Sequence, residues 1–331
     1  MALKITTVGC GSWGTALANV FADAGSDVTL WGRDRAVVEA LDQRKQNPKY
    51  LPDLVLSARL RATLDLGQAL SQADVVVCSI PTQQIREVFT PHARLLDGKI
   101  VVNTSKGLEV GTHHRVSEIF RQIAPKASHV VLSGPSFALE VAKRQPTAVT
   151  VAGSDSAITE RVQRLVSTPY FRAYTSSDVV GVEIAGALKN VVALAAGIVR
   201  GCDFGFNAQA AVINRGLAEV VRMGRALGAE PMTFLGLSGV GDLLLTCTGP
   251  LSRNLRAGIF LGQGLPLPEV VSRLGGVAEG VYTAQSATEL AASLNIDMPI
   301  LREIHAILYQ SKTPQNALTT LMGRDLRGEN D

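Results

Sequence analysis

The chain has 331 residues, 46% of them hydrophobic and 18% charged, and a formal net charge of +3. Such a composition belongs to a folded globular protein long enough for two cores, and it excludes a disordered chain. A charge this small, spread over this length, leaves no broad basic face, so neither nucleic acid nor an anionic membrane surface is an expected partner.

From Met1 the chain runs directly into "KITTVGCGSWG", without the basic start, apolar run and cleavage site of a secretory signal, so a cytoplasmic location is expected. "KITTVG" reads as a strand, followed by a helix from Ser12 to about Ala24 and a second strand, "DVTLWG", from Asp27. Gly9, Gly11 and Gly14 therefore lie between a first strand and a first helix, the context a dinucleotide fingerprint requires. The glycines allow a tight turn, close approach of a pyrophosphate and close helix–sheet packing, and the helix N-terminus offers free N–H groups. The second strand of such a unit normally ends in an acid that holds the ribose hydroxyls. Here "LWGRDR" places Arg33 there, with Asp34 a position late. An arginine pairs with a 2′-phosphate, which an acid would repel, so NADP(H) is the expected preference over NAD(H). The alternative is an Arg33 that merely faces solvent at a strand end.

Further strands are read in "ADVVVCSI", "KIVVNTS", "HVVLSGPS", "TAVTVAG" and "FRAYTS". Amphipathic stretches such as "HRVSEIFRQIA" and "DSAITERVQRLVST" lie between several of them. This alternation predicts an α/β fold with a parallel, doubly wound, Rossmann-type sheet covered by helices on both faces. After residue 176 the strand signals stop and every periodic segment is helical. The predicted division is a dinucleotide-binding domain over 1–177 and an all-α substrate-binding domain over 178–331.

Several polar residues stand where ligands bind in open sheets, just past strand carboxyl ends. "NTSKGLE" puts Lys106 there, and "SGPSFALE" does the same for Gly134 and Ser136, with Ala138 entering the next helix. In the helical half, "GVEIAGALKNVVALAAGIVRG" reads as a helix apolar on nearly every side, with Glu183, Lys189 and Asn190 within it. Such a helix is buried, and a buried ammonium requires compensation. Ala185, Gly186, Ala193, Ala196 and Gly197 share the face of Lys189 and predict open space beside it. Tight helix packing, with Lys189 paired to a carboxylate, is the competing account. "GVGDLLLTCTGPLSRNLRAG" sets Asp242 at one helix start and Ser252, Arg253 and Asn254 at another, with Ser252 a candidate N-cap and its free N–H groups an anion site.

Together these residues suit a small phosphorylated carbonyl compound. Arg253 and the helix start would hold the phosphate, and Lys189 would exchange a proton with the carbonyl oxygen as hydride moves. Burial and Lys106 would lower the Lys189 pKa from about 10.4, while Asp242 would oppose them. The longest apolar run beside Lys189, "VVALAAGIV", is nine residues, so no membrane span is expected. Four scattered cysteines without a CxxC pair, and five histidines without ligand spacing, predict no metal site.

The motifs "GCGSWGTALA", "NTSKGLE", "SGPSFALE", "EIAGALKNVVALAAGI", "GVGDLLLTCTG", "SRN" and "GVAEGVYTA" make the chain resemble bacterial NAD(P)-dependent glycerol-3-phosphate dehydrogenases over essentially its whole length. The resemblance implies reversible reduction of dihydroxyacetone phosphate to sn-glycerol 3-phosphate, a precursor for phospholipid biosynthesis, and favours a homodimer. It implies Lys189 as the proton acceptor of the oxidative direction. It also implies dinucleotide contacts from Ser12, Trp13, Arg33, Lys106, Ala138, Arg253, Val277 and Glu279. Substrate contacts would come from Lys106, Gly134, Ser136, Lys189, Asp242, Ser252, Arg253 and Asn254. Without the resemblance, Trp13 reads equally as an apolar anchor and Glu279 as a solvated loop acid. Two other functions compete: a related lysine-dependent hydroxyacid dehydrogenase, and a dinucleotide-binding sensor without chemistry.

Overall fold

A computed structural model describes residues 2–326, 328 and 329; the chain-end residues 1, 327, 330 and 331 of the two predicted domains lie outside it. The strands are β1 (Lys4–Val8), β2 (Asp27–Trp31), β3 (Leu60–Thr63), β4 (Val75–Cys78), β5 (Ile100–Asn103), β6 (Ser128–Ser133), β7 (Thr147–Ala152) and β8 (Phe171–Ser176). They form one sheet in the order β3-β2-β1-β4-β5-β6-β7-β8. Chain order reverses between β1 and β4, the switch point at which sheets of this kind take their ligands.

Two features differ from the sequence expectation. The edge strand β3 has no counterpart among the predicted strands, because "LRAT" is too short and too polar to carry a periodic signal. The pairing of β6 with β7 is antiparallel, whereas the other neighbours run parallel. A strand's direction has no local signature, since it is set by how the connecting segment returns to the sheet.

Helices α1 (Ser12–Asp23), α2 (Arg35–Arg44), α3 (Leu66–Gln72), α4 (Ile85–Phe89), α5 (Val116–Ile123), α6 (Ala138–Ala142) and α7 (Ser156–Val166) accompany the sheet. Alternate residues of β4 reach its two faces: Val75 and Val77 join a core with Leu17 and Phe21, and Val76 and Cys78 join another with Phe89 and Phe120. A strand buried on both faces is apolar without alternation, as "VVVC" is.

The helical half contains α8 (Val179–Gly201), α9 (Gly205–Ala226), α10 (Asp242–Thr248), α11 (Arg253–Gly262), α12 (Leu267–Leu274), α13 (Glu279–Ser293), α14 (Pro299–Tyr309) and α15 (Pro314–Met322). Its axis is α8, buried without interruption from Gly181 to Ile198. Among the described residues it is the helix long and apolar enough to cross a membrane, yet 94% of its most apolar window is buried within the protein. Asp178 starts it, accepting from Gly181 N–H at 2.8 Å and tying it to Glu230 N–H and Thr233 Oγ1.

The buried polar residues of α8, Glu183, Lys189 and Asn190, are each answered by a partner. Glu183 meets Arg115 Nη1 at 3.0 Å and accepts from the Ser117 N–H and hydroxyl at 2.8 and 2.6 Å, which joins α8 to the start of α5. Gly197 does not provide the open space expected of it. A Cβ there would lie 2.2 Å from Leu255 O, and one on Gly258 would lie 2.2 Å from Leu194 O. Glycine on both sides lets α8 and α11 touch backbone to backbone.

Candidate active site

Around the turn after β1, Gly14 packs closely on Gly9: a Cβ at Gly14 would stand 1.9 Å from Gly9 O. Gly9 itself has φ +116 and faces Ser79 O, a contact that leaves no space for a side chain. Gly11, in contrast, faces open space, and α1 begins there with neither a side-chain cap nor an acid in its first turn. The N–H groups of Ser12 and Trp13 are thus presented to an anion, as a dinucleotide pyrophosphate requires. Trp13 packs half-buried against the sheet core, as does Ala138 at the first position of α6. Arg33, just past β2, donates to Gln84 Oε1 at 3.1 Å.

The turn Thr82–Gln84 follows β4 and leads into α4. Its Thr82 hydroxyl and Glu279 Oε2 are buried without a hydrogen-bond partner, and a Cβ on Gly107 would stand 2.9 and 3.2 Å from them. Glu279 opens α13, and burial raises its pKa to about 7, against the Thr82 N–H and Arg253, which act to lower it. It is therefore not the solvated loop acid that isolated reading allows. Two unsatisfied buried polar atoms beside the switch point are the complement of a ligand that both donates and accepts, a description the carboxamide end of a nicotinamide dinucleotide meets. The residues present fit that cofactor.

Asp242 sits at the centre, 1% exposed at the start of α10. Its Oδ1 accepts from Lys189 Nζ and its Oδ2 from Lys106 Nζ, both at 2.5 Å. Lys189 Nζ also donates to Thr246 Oγ1 at 2.9 Å. Thr246 is not among the expected residues, although an Asp-x-x-x-Thr spacing puts both on one face of a helix. Gly186 lies beside this arrangement. A Cβ there would lie 3.2 Å from Ser133 Oγ and 3.5 Å from Lys106 Cγ, so the small residue admits the Lys106 stem rather than open space.

The electrostatics follow from two ammonium groups sharing one buried carboxylate. Burial lowers the Lys189 pKa to about 7, with Asp242 acting to raise it and Lys106 to lower it further. The same two cations keep Asp242 below the usual carboxylate range despite its burial. A lysine brought this near neutrality has the protonation range that acid–base chemistry uses.

The segment between β6 and α6 packs against this centre. Gly134 has φ +151 and lies against Val149 Cα, Pro135 lies beside Gly241, and Phe137 lies beside Gly249. Ser136 Oγ donates to Gly134 O at 3.0 Å. Ser252 caps α11, accepting from Leu255 N–H at 3.2 Å, and leaves the first-turn N–H groups of Arg253 and Asn254 without helical acceptors. Arg253 Nη2 donates to Gly276 O at 3.1 Å, which anchors the strip carrying Val277 and Glu279. The Asn254 side chain donates to Asn190 Oδ1 and accepts from Gly280 N–H, each at 3.0 Å, which fixes its orientation. Its backbone N–H in the first turn and its second amide hydrogen are the donors left to meet a ligand. Lys106 and Lys189 share Asp242, and Glu279, acted on by Arg253, lies beside Gly107, the neighbour of Lys106, while Arg33 and Trp13 belong to the glycine-turn end.

Comparison with known proteins agrees with this geometry. The model of the N-terminus of NAD-dependent glycerol-3-phosphate dehydrogenase matches residues 4–159, and that of its C-terminus matches residues 178–319. A Citrifermentans bemidjiense protein named glycerol-3-phosphate dehydrogenase (NAD(P)+) is 48% identical over 333 residues, 99% of each chain. One of the same name from Enterococcus faecalis is 46% identical over 335 residues, 100% of this chain and 98% of the relative. The crystal structure of glycerol-3-phosphate dehydrogenase from Coxiella burnetii superposes with a TM-score of 0.93 at 36% identity, covering 98% of this chain and 99% of that one. The chain belongs to the NAD-dependent glycerol-3-phosphate dehydrogenase family.

Proposed function

We infer that the protein reversibly reduces dihydroxyacetone phosphate to sn-glycerol 3-phosphate with NAD(P)H, the activity its relatives are named for. The single observation that carries this reading is Lys189, a buried lysine with a pKa of about 7 that shares one carboxylate with Lys106. When bound, the nicotinamide supplies the hydride to the substrate's central carbon and accepts it in reverse. The Lys189 ammonium gives its proton to the oxygen as that oxygen gains charge, and is left neutral. In the oxidative direction the neutral amine removes the alcohol's proton. Asp242 and Thr246 aim Nζ, and Lys106, less enclosed, is the cation that reaches past Asp242 to substrate. Arg253 and the first turn of α11 hold the phosphate dianion, with Gly134 and Ser136 closing the other side.

The dinucleotide lies across the glycine turn, from Arg33 at its adenosine end to Glu279, Val277 and Ala138 at the other. Arg33 supports a preference for NADPH. The lobes 1–177 and 178–331 close over both ligands to exclude water. Cytoplasmic location, supply of glycerophospholipid synthesis and a homodimer complete the proposal; sedimentation of the pure protein tests the last. The deciding assay is NADPH consumption with dihydroxyacetone phosphate against dihydroxyacetone. A large excess in kcat/KM for the phosphorylated compound is expected. Equal values would reject the phosphate site and favour a hydroxyacid dehydrogenase.

A further inference from the structure

The delayed acid of the second strand has a use that the Arg33 reading leaves unexplained. Asp34 is the N-cap of α2, where Oδ1 accepts from Val37 N–H at 3.4 Å, and its Oδ2 accepts from Lys49 Nζ at 2.9 Å. Each oxygen thus has a partner on the α2 side or on Lys49, and these two bonds fix the direction in which the carboxylate is held. The Lys49 side chain is itself about half exposed, but the loop that carries it is anchored. Its neighbour Tyr50 donates its N–H to Asn47 Oδ1 and accepts from Ser12 Oγ, while Asn47, 1% exposed, donates to Cys10 O and Thr15 Oγ1. The loop bearing Lys49 is in this way stitched to the glycine turn and to the first helix. The end of β2 is held there too, since a Cβ on Gly32 would meet Cys10 Sγ at 2.1 Å. Arg33, Asp34 and Lys49 all act electrostatically on the Cys10 thiol, which places the three charges around one turn.

We propose that Lys49 is a cofactor-specificity residue: it holds the Asp34 carboxylate away from the adenosine ribose, and with Arg33 it makes this end of the crevice accept a 2′-phosphate. Gln84, bonded to Arg33, positions the first cation, and the Asn47 loop positions the second. A carboxylate released from Lys49 would accept from the ribose hydroxyls of NADH and repel the phosphate of NADPH. The inference rests on the Arg33 reading.

The experiment compares kcat/KM for NADPH and for NADH, with saturating dihydroxyacetone phosphate, in the wild type, Arg33→Ala, Lys49→Met and the double variant Lys49→Met/Asp34→Asn. Lys49→Met is expected to lower the NADPH:NADH ratio by about ten- to a hundredfold, the effect of losing a hydrogen-bonded charge. The double variant, whose asparagine still caps α2 but carries no charge, is expected to recover part of that ratio. Because a ratio is read within each protein, partial unfolding cancels. If Arg33→Ala lowers the ratio and Lys49→Met leaves it within about twofold of wild type, the inference is overturned and the Arg33 reading stands. A ratio insensitive to Arg33→Ala overturns the Arg33 reading itself. A double variant no better than Lys49→Met overturns the claim that Lys49 acts by restraining Asp34.

Discussion

Replacing Asp242 by asparagine removes a charge from the site while nearly preserving its shape. The amide oxygen of Asp242→Asn could still accept from Lys189, but the carboxylate that two ammonium groups approach at 2.5 Å would be gone. With charge centres ~4 Å apart and an effective dielectric of about 20, that carboxylate favours the charged form of Lys189 by about 4 kcal/mol, or about three pKa units. The Lys189 midpoint, about 7 in the intact site, would fall well below neutrality. At pH 7 about one molecule in a thousand would then hold the proton to be donated, and ketone reduction would fall by a similar factor.

The assay is kcat/KM for dihydroxyacetone phosphate reduction as a function of pH. With the Lys189 ammonium as the proposed donor, the wild-type profile is expected to fall as pH rises through about 7, and oxidation, which would need the free amine, to rise through the same range. Asp242→Asn moves the falling limb of the reductive profile below about pH 5. A variant that binds dinucleotide normally and keeps its limb at neutral pH or above would refute the reasoning, because Lys189 would then owe its proton to something other than the shared carboxylate.

Gly197→Ala drives a methyl into Leu255 O and forces α8 from α11; a loss of about 1–3 kcal/mol in denaturant unfolding is expected. Reduced phosphate-dependent turnover should accompany it, since α11 carries Arg253. Glu183→Ala leaves Arg115 with Glu118 alone and the Ser117 N–H without its acceptor, and should cost about 3 kcal/mol by the same measurement. Stability within about 0.5 kcal/mol of wild type in either variant would contradict the packing described.

Much of the sheet is legible locally because β1, β4 and β5 are short β-branched runs buried on both faces, and the glycine turn is contiguous in sequence. Ser252 announces itself as a cap by residue type, and it caps α11. What escapes sequence reasoning depends on contacts between distant segments. The glycines Gly186 and Gly197 look alike on one stripe of α8, yet one admits the Lys106 stem and the other α11. Glu183 is unexplained until Arg115, 68 residues away, is seen beside it. The Lys189 pKa is a balance of burial, Asp242 and Lys106, and opposing contributions of that size have no net sign until their geometry is known. Glu279 gives no local hint of burial, because Thr82 and Gly107 come from the other half of the chain.

The claim on which the rest depends is that Lys189 carries the proton. Lys189→Met keeps the length and apolar stem of the side chain and deletes its amine. Turnover with dihydroxyacetone phosphate should fall by about 10² to 10⁴, the contribution of an acid–base group, while NADPH affinity measured by fluorescence titration stays within about threefold. A Lys189→Met protein that turns over at the wild-type rate would remove the residue from the chemistry, and the account with it.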